Sequence, residues 1–308
     1  MMVVEYLKQA MSMRRIRLLT GISNSFMYRR NRERKRYSRV PDEIRKRIVS
    51  LCSRRITYGY RRIWAALRNE GIVLNVKTVR RIMRENGLSL PAAKHHNRTK
   101  TRNLFRPSGP DQLWETDITY IPTEAGMTYL MCVKDCFSKE WQGYHYSLSC
   151  MASDAVKSVE DAVMRAFDGK VPEGLVLRVD NGPQYIARKF REAMRLLGIR
   201  IEYIQKHTPE DNGNIESFHN SIKTDYIWPY EFKDFTEAQK QVEYAFTDYN
   251  TVRPHSSIMY LAPKEFRKRW SSDPGFRAQY QESLEKEREK KRSWRESRRR
   301  MEVEANGI

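Results

Sequence analysis

The chain has 308 residues, enough for two modest domains, and carries 58 Lys+Arg against 38 Asp+Glu, a formal net charge of +20. It is 40% hydrophobic, and no apolar run approaches the ~20 residues needed to cross a bilayer, which excludes a membrane-spanning helical protein. The opening "MMVVEYLKQAMSMRR" has no continuous apolar stretch of the secretory kind, and Cys52, Cys132, Cys136 and Cys150 are too few and too irregular for a disulfide framework; they read as buried thiols of a cytoplasmic protein.

The charge is unevenly spread. Residues 1–110 hold 28 Lys+Arg against 6 Asp+Glu, whereas the rest hold 30 against 32. A segment this basic reads as a polyanion-binding module, most simply for nucleic acid. Its periodicity is helical throughout. "MSMRRIRLLTGISNSFMYRR" gives two short helices hinged at Gly21, with Ser23 placed to cap the second. "PDEIRKRIVSLCSR" starts at Pro41 and carries an Ile44, Ile48, Leu51 stripe. "YGYRRIWAALRNEGIVLNVKTVRRIMRENGL" predicts a helix, a turn near Gly71 and a second helix opened by Asn75. The second buries Val76, Val79, Ile82 and Met83 and shows Lys77, Arg80, Arg81 and Arg84. A turn between two short helices, the second studded with arginine, is a helix-turn-helix pattern, and those four cations are its candidate DNA contacts. Residues 91–110 have no periodicity and are rich in Pro and basic residues, so they read as a linker, with His95 and His96 as polar linker residues rather than metal ligands.

From Trp114 the period changes. Three strands ("WETDITYIP", "MTYLMCVKDCF", "WQGYHYSL") precede a helix, "SDAVKSVEDAVMRAF", with Ser153 as its expected cap and Ala155, Val159, Ala162, Val163 and Phe167 inward. Strand "LVLRV", helix "PQYIARKFREAMRLLG", strand "IRIEYI", a polar loop and the helix beginning near Glu216 come next. Three strands and then alternating helix and strand describe an α/β domain with a mixed sheet. "DFTEAQKQVEYAFTDYN" and "APKEFRKRW" are helical, with Thr236 and Gln239 as an expected capping box. From Asp273 the chain alternates charge, which suits an exposed helix or a disordered tail. The expected division is 1–90 basic helix-turn-helix region, 91–110 linker, 111–272 α/β core with C-terminal helices, and 273–308 charged tail.

Three carboxylates occupy positions favoured by active sites. Asp117 lies within the first strand, and Asp180 ends an apolar strand just before Asn-Gly. Glu216 opens a helix whose Ile215, Phe218 and Ile222 form the apolar stripe, while Glu216, His219, Asn220 and Lys223 share a neighbouring face. Glu216 by itself also fits a dipole-matched surface residue. Hard oxygen donors without His or Cys suit Mg²⁺ or Mn²⁺, and two such ions about 3.5–4 Å apart clamp the attacking and leaving oxygens of a phosphodiester displacement.

Between Asp180 and Glu216 lie 35 residues, and Lys223 follows seven after Glu216. This spacing resembles the D,D-35-E signature of retroviral-integrase-like transposases. "DNGPQY", "HTPEDNGNIESFHNSIK" and "YNTVRPHSSIMYLAPKEF" look like the core of bacterial insertion-sequence transposases of the IS-three family (the OrfB product). The helix-turn-helix stretch looks like the one that precedes that core. The resemblance covers roughly residues 12–270. It implies an RNase H-like core whose Asp117, Asp180 and Glu216 bind two catalytic Mg²⁺ (or Mn²⁺) ions, with Lys223 directed at DNA. It implies cutting at the 3′ ends of the element by activated water and attack by the freed 3′-hydroxyls, with no covalent protein–DNA intermediate. The expected partners are terminal inverted repeats, target DNA, further copies of the chain and the product of an upstream frame; no membrane is involved. With no sustained heptads near its start, the chain reads as the downstream product alone, and the retroviral zinc module is absent. Three rivals remain weaker, of which an RNase H-type nuclease shares the core but needs no DNA-end-binding front third. A non-catalytic DNA-binding regulator needs no complete triad. A tyrosine recombinase finds Arg253, His255 and Tyr260 close together but lacks its other partners.

Overall fold

The computed structural model describes residues 40–90, 105–204 and 213–305. The first expected helical pair, the histidines at 95 and 96 and the polar loop before Glu216 lie outside the described residues. The chain divides into two compact units, Met1–Arg47 and Ile48–Ile308, and the second contains the sheet with the helices that cover it.

Three helices come first: α1 (Asp42–Arg54), α2 (Tyr60–Asn69) and α3 (Val76–Glu85). Gly71, at φ 81°, makes the turn after α2 that a side chain with Cβ resists, and the Trp64 indole donates to the Leu74 carbonyl at 2.8 Å to pin it. Asn75 caps α3 as expected, accepting from the Lys77 N–H at 2.8 Å. Ile63, Leu67, Val79, Ile82 and Met83 are buried, leaving Lys77, Arg80 and Arg84 exposed; Arg81 turns half inward beside Glu85 at 3.6 Å.

The sheet comprises β1 (Leu113–Thr123), β2 (Gly126–Asp135), β3 (Trp141–Ser147), β4 (Val176–Val179) and β5 (Arg200–Tyr203), in the order β3-β2-β1-β4-β5. The first three pair antiparallel and the last two add parallel to β1. Alternation along the strands sends Met131 and Val133 to one face and Leu130 and Cys132 to the other. On the first face α4 (Ala152–Phe167) and α6 (Arg188–Leu196) lay down Ala155, Val159, Ala162, Phe190 and Met194. At Gly143 the helix backbone rests on the sheet, because a Cβ there would meet the Ala162 nitrogen at 2.4 Å. On the second face α7 (Gly213–Ile222) and α8 (Phe235–Thr251) bury Ile215, Phe218, Ile222, Val242 and Ala245 around Trp141. Each such side chain contributes about 1.5–3 kcal/mol. A mixed sheet with this order and helices on both faces is the RNase H-like fold.

Several local expectations are corrected. Ser153 does not cap α4: the chain turns at Met151, and the Asp154 carboxylate accepts from the Met151 N–H at 3.0 Å. Asp234, rather than Thr236, caps α8, accepting from the Glu237 N–H at 2.9 Å. The helix expected over "PQYIARKFREAMRLLG" breaks at Ala187 (φ −60°, ψ 141°) into α5 (Pro183–Ile186) and α6. In one continuous helix Tyr185 and Phe190 would stand about 140° apart; the break lets both enter the core, rings 5.2 Å apart. The charged tail is helical: α9 (Pro263–Ser272) leads to α10 (Pro274–Ala305), anchored by Phe276 and Tyr280 against Phe137 and Phe266. All four cysteines are free thiols. Among the described residues no helix is long and apolar enough to cross a membrane.

Candidate active site

Strand register brings the first two carboxylates together. Glu115 pairs with Arg178 across parallel β1 and β4; Asp117 stands two residues further along β1, and Asp180 is the first residue past the end of β4. Even spacing keeps all four on one face, the face that α7 covers. The earlier rung is compensated: Arg178 lies 3.1 Å from Glu115 and 2.7 Å from Glu202 of β5. Among the described residues neither Asp117 nor Asp180 forms an ion pair with a lysine or arginine.

The turn after β4 explains the Asp-Asn-Gly sequence. Asp180 Oδ1 accepts the Gly182 N–H at 2.8 Å, and the Asn181 amide donates to the Ile204 carbonyl at 2.6 Å. A Cβ at Gly182 would stand 2.9 Å from Asp180 Oδ1, so glycine leaves the carboxylate its room. Asp117 Oδ1 accepts the Ile118 N–H at 2.8 Å. Burial, and then repulsion from Asp180 and Glu216, push the Asp117 carboxyl up to about 7, against that hydrogen bond and the Lys223 charge.

Glu216 stands in the first turn of α7, held by Phe218 and Ile222 beneath it; the Phe218 ring meets Trp141 and Tyr249 edge-on at 5.4 and 5.1 Å. Lys134, on β2, donates from Nζ to the Asn214 carbonyl at 2.9 Å and fixes the start of this helix. Burial lowers that ammonium to about 8. The face expected to hold Glu216, His219, Asn220 and Lys223 is not uniform. Glu216 and Asn220 are exposed and Lys223 is half-buried, but His219 is buried with Nδ1 3.4 Å from Asp117 Oδ2. Burial, then Lys223 and Lys134, hold its imidazole down to about 3, so it is neutral, and its Nε2 has no partner. After Ile222 the helix widens into a π turn, Lys223–Ile227, closed by the Trp228 N–H on the Lys223 carbonyl at 2.7 Å.

The donor set is all carboxylate, and charge accumulates without compensation, which suits a hard divalent cation. Among the described residues no three His, Cys, Asp or Glu side chains stand close enough to close around an ion, so binding one requires the carboxylates to draw together. Sequence reasoning did not identify Lys134, His219 or the Glu115–Arg178–Glu202 rung as parts of this site. The only signal for the first is a lysine inside the apolar run "YLMCVKDCF". Arg253, His255 and Tyr260, which a tyrosine recombinase would use, serve as structure: Arg253 is buried, His255 is half-buried with its ring 4.7 Å from that of Tyr249, and Tyr260 packs edge-on against Trp64.

The family model described as an HTH-like domain matches residues 40–96, and two described as integrase core domain match 107–209 and 197–263. The transposase for insertion sequence element IS904 of Lactococcus lactis is 33% identical over 225 residues, covering 68% of this chain and 87% of that protein. Transposase InsD for insertion element IS2A/D/F/H/I/K of Escherichia coli is 34% identical over 224 residues, covering 68% and 73%. Among solved structures, the simian T-cell lymphotropic virus intasome in complex with PP2A regulatory subunit B56 gamma has a chain 19% identical, with TM-score 0.47, covering 71% of this chain and 74% of that one. The HTLV-2 integrase catalytic core domain in complex with magnesium is 16% identical, with TM-score 0.37, covering 51% and 96%. With an HTH-like front, an integrase core and a relative of this identity matched over most of its length, the chain belongs to the IS-three family of insertion-sequence transposases, DNA transposases of the integrase type.

Proposed function

We propose that Asp117, Asp180 and Glu216 are the catalytic triad of this transposase. They would hold two Mg²⁺ or Mn²⁺ ions for cutting at the 3′ ends of an insertion element and joining the freed 3′-hydroxyls to DNA. The observation that carries this reading is the cluster of carboxylates: Asp117 on β1 and Asp180 just past β4, both beyond the paired Glu115 and Arg178, with Asp180 and Glu216 close enough to raise the Asp117 carboxyl. Bound ions would neutralise the carboxylates and stabilise the attacking and leaving oxygens. The protein's own groups prepare the geometry. The Gly182 and Ile118 N–H groups orient Asp180 and Asp117. Neutral His219 flanks Asp117 without competing for phosphate, and Lys134 sets the depth at which α7 carries Glu216. Lys223 supplies a phosphate contact beside the scissile bond, while Lys77, Arg80, Arg81 and Arg84 hold the duplex.

The same reading takes the partners to be the element's terminal repeats, target DNA, further copies of this chain and an upstream-frame product, in a bacterial cytoplasm. It keeps the boundaries 1–90, 91–110, 111–272 and 273–308. Its test combines chemistry with a binding readout. Mn²⁺ should raise the melting temperature of the wild-type chain and support joining of end oligonucleotides; Asp180→Asn should lose both. A variant that joins ends at the parental rate would overturn the assignment.

A further inference from the structure

The front helices grip the elements that come after Glu216. In the turn between α1 and α2, Arg55 donates through both terminal nitrogens to the Asp248 carboxylate of α8, at 2.8 and 2.5 Å. Thr57 Oγ1 donates to Asp225 of the π turn at 2.5 Å. Arg62 of α2 lies 3.6 Å from the same carboxylate, and Arg253 closes it from the core side at 2.7 Å. Tyr226, next to Asp225, donates its hydroxyl to Asp248 at 2.7 Å and joins the two halves. The aspartate side chains are 4% and 6% exposed.

Charges removed from water add little net stability even when paired, but their directional bonds admit one geometry where an apolar contact would tolerate sliding. This cluster connects two working parts. α3 packs on α2, and Asp225 lies nine residues beyond Glu216 on the same run of helix. We infer that Asp225 and Asp248 are positioning residues: through Arg55 and Thr57 they fix the distance from helix α3 to the carboxylates, so the front module measures where on a DNA end the cut falls. The inference rests on the proposed roles of α3 in DNA contact and of the triad in cutting.

The test uses the full chain with Mg²⁺ and duplex oligonucleotides carrying the element's end, with cuts mapped to the nucleotide. The wild type should cut at one phosphodiester and lose activity when one base pair is inserted between the inner repeat and the end. Arg55→Gln and Thr57→Val should raise cuts at neighbouring phosphodiesters about tenfold, since ångström-scale misplacement is enough to alter which bond reacts, and should accept the insertion. Thr57→Val keeps its side chain's shape and carries the result if a thermal melt shows Arg55→Gln unfolded. Cutting at the single parental position with parental sensitivity to the insertion, at whatever rate, overturns the inference and leaves the contacts merely structural. Asp117→Asn, run in parallel, should cut nowhere; cutting by that variant would overturn the carboxylate assignment, while the map of positions still judges the network.

Discussion

Asp117 and Asp180 each follow by two residues the partners of one ion pair, Glu115 and Arg178, which stand opposite each other on parallel β1 and β4. One Arg178 guanidinium serves both Glu115 and Glu202, whereas among the described residues neither Asp117 nor Asp180 forms an ion pair with a lysine or arginine. Asp117→Asn and Asp180→Asn should each lower end cutting and joining by at least about a thousandfold, while affinity for end DNA changes little, because bulk attraction comes from phosphate contacts elsewhere. Glu216→Gln should behave alike. Gel assays of joining beside a DNA-binding titration check the pair of expectations; equal losses in both would refute the separation.

Two glycines should fail differently. Gly182→Ala brings a Cβ to 2.9 Å from Asp180 Oδ1, so it should cost activity, about ten- to a hundredfold, with little change in unfolding midpoint. Gly143→Ala drives a methyl into the α4 backbone at Ala162, where nothing can yield without moving a helix. It should destabilise by about 2 kcal/mol or more. Urea unfolding and joining rates measured on both variants would expose an exchange of these roles.

A buried histidine and a half-buried one give stability a pH dependence of known sign. His219 is held down to about 3 by burial, then Lys223 and Lys134, and His255 falls well below its usual value through burial and then Arg253. The unfolded chain therefore binds more protons below about 6.5, and the stability is full above that pH and lost as pH falls toward about 3. Asp117, raised to about 7, acts oppositely, its contribution being lost as pH rises through that value. Comparison with a variant isolates the histidine part. The stability difference between wild type and His219→Asn should shrink by an amount on the order of 1–2 kcal/mol between about pH 7.5 and about pH 5. A constant difference would mean that the imidazole titrates alike in the folded and unfolded chain.

Lys223 begins the π turn and sits within electrostatic reach of Asp117. Lys223→Ala should reduce joining of end DNA about tenfold or more while lowering overall binding much less, since many other cations contribute. Lys223→Arg should recover part of the loss by keeping the charge. Joining by the alanine variant at the parental rate, at low and moderate salt alike, would make Lys223 a surface charge only.

Element order was legible because each signal was local: the Asn75 cap, the Gly71 turn and the Ile215, Phe218, Ile222 stripe all rest on residues within a few positions of each other. The proposed triad rests on spacing and motif, which are read along the chain. Register was not, so Glu115, Arg178 and Glu202 read as ordinary charges in strands rather than a rung. The break at Ala187 escaped notice because its cause, a core shared by Tyr185 and Phe190, is tertiary. At α8, Asp234 and Thr236 are both competent caps two residues apart, and the geometry of the incoming chain selects the first. The grip of Arg55 on Asp248 joins residues 193 positions apart, beyond any local pattern.

The π turn at Lys223–Ile227 closes each loop over five residues instead of four, so it accommodates one amino acid more than an α-helix of the same height. Losing a single codon there would let the hydrogen bonds re-form as an ordinary helix, without a gap. Because the turn takes up the extra residue, the helix before it and the chain after it would keep their places relative to Glu216. What would change is the turn itself, from which Asp225 reaches Thr57 and Arg253. A one-codon deletion here should therefore loosen that grip while leaving Glu216 and the buried Ile222 in position.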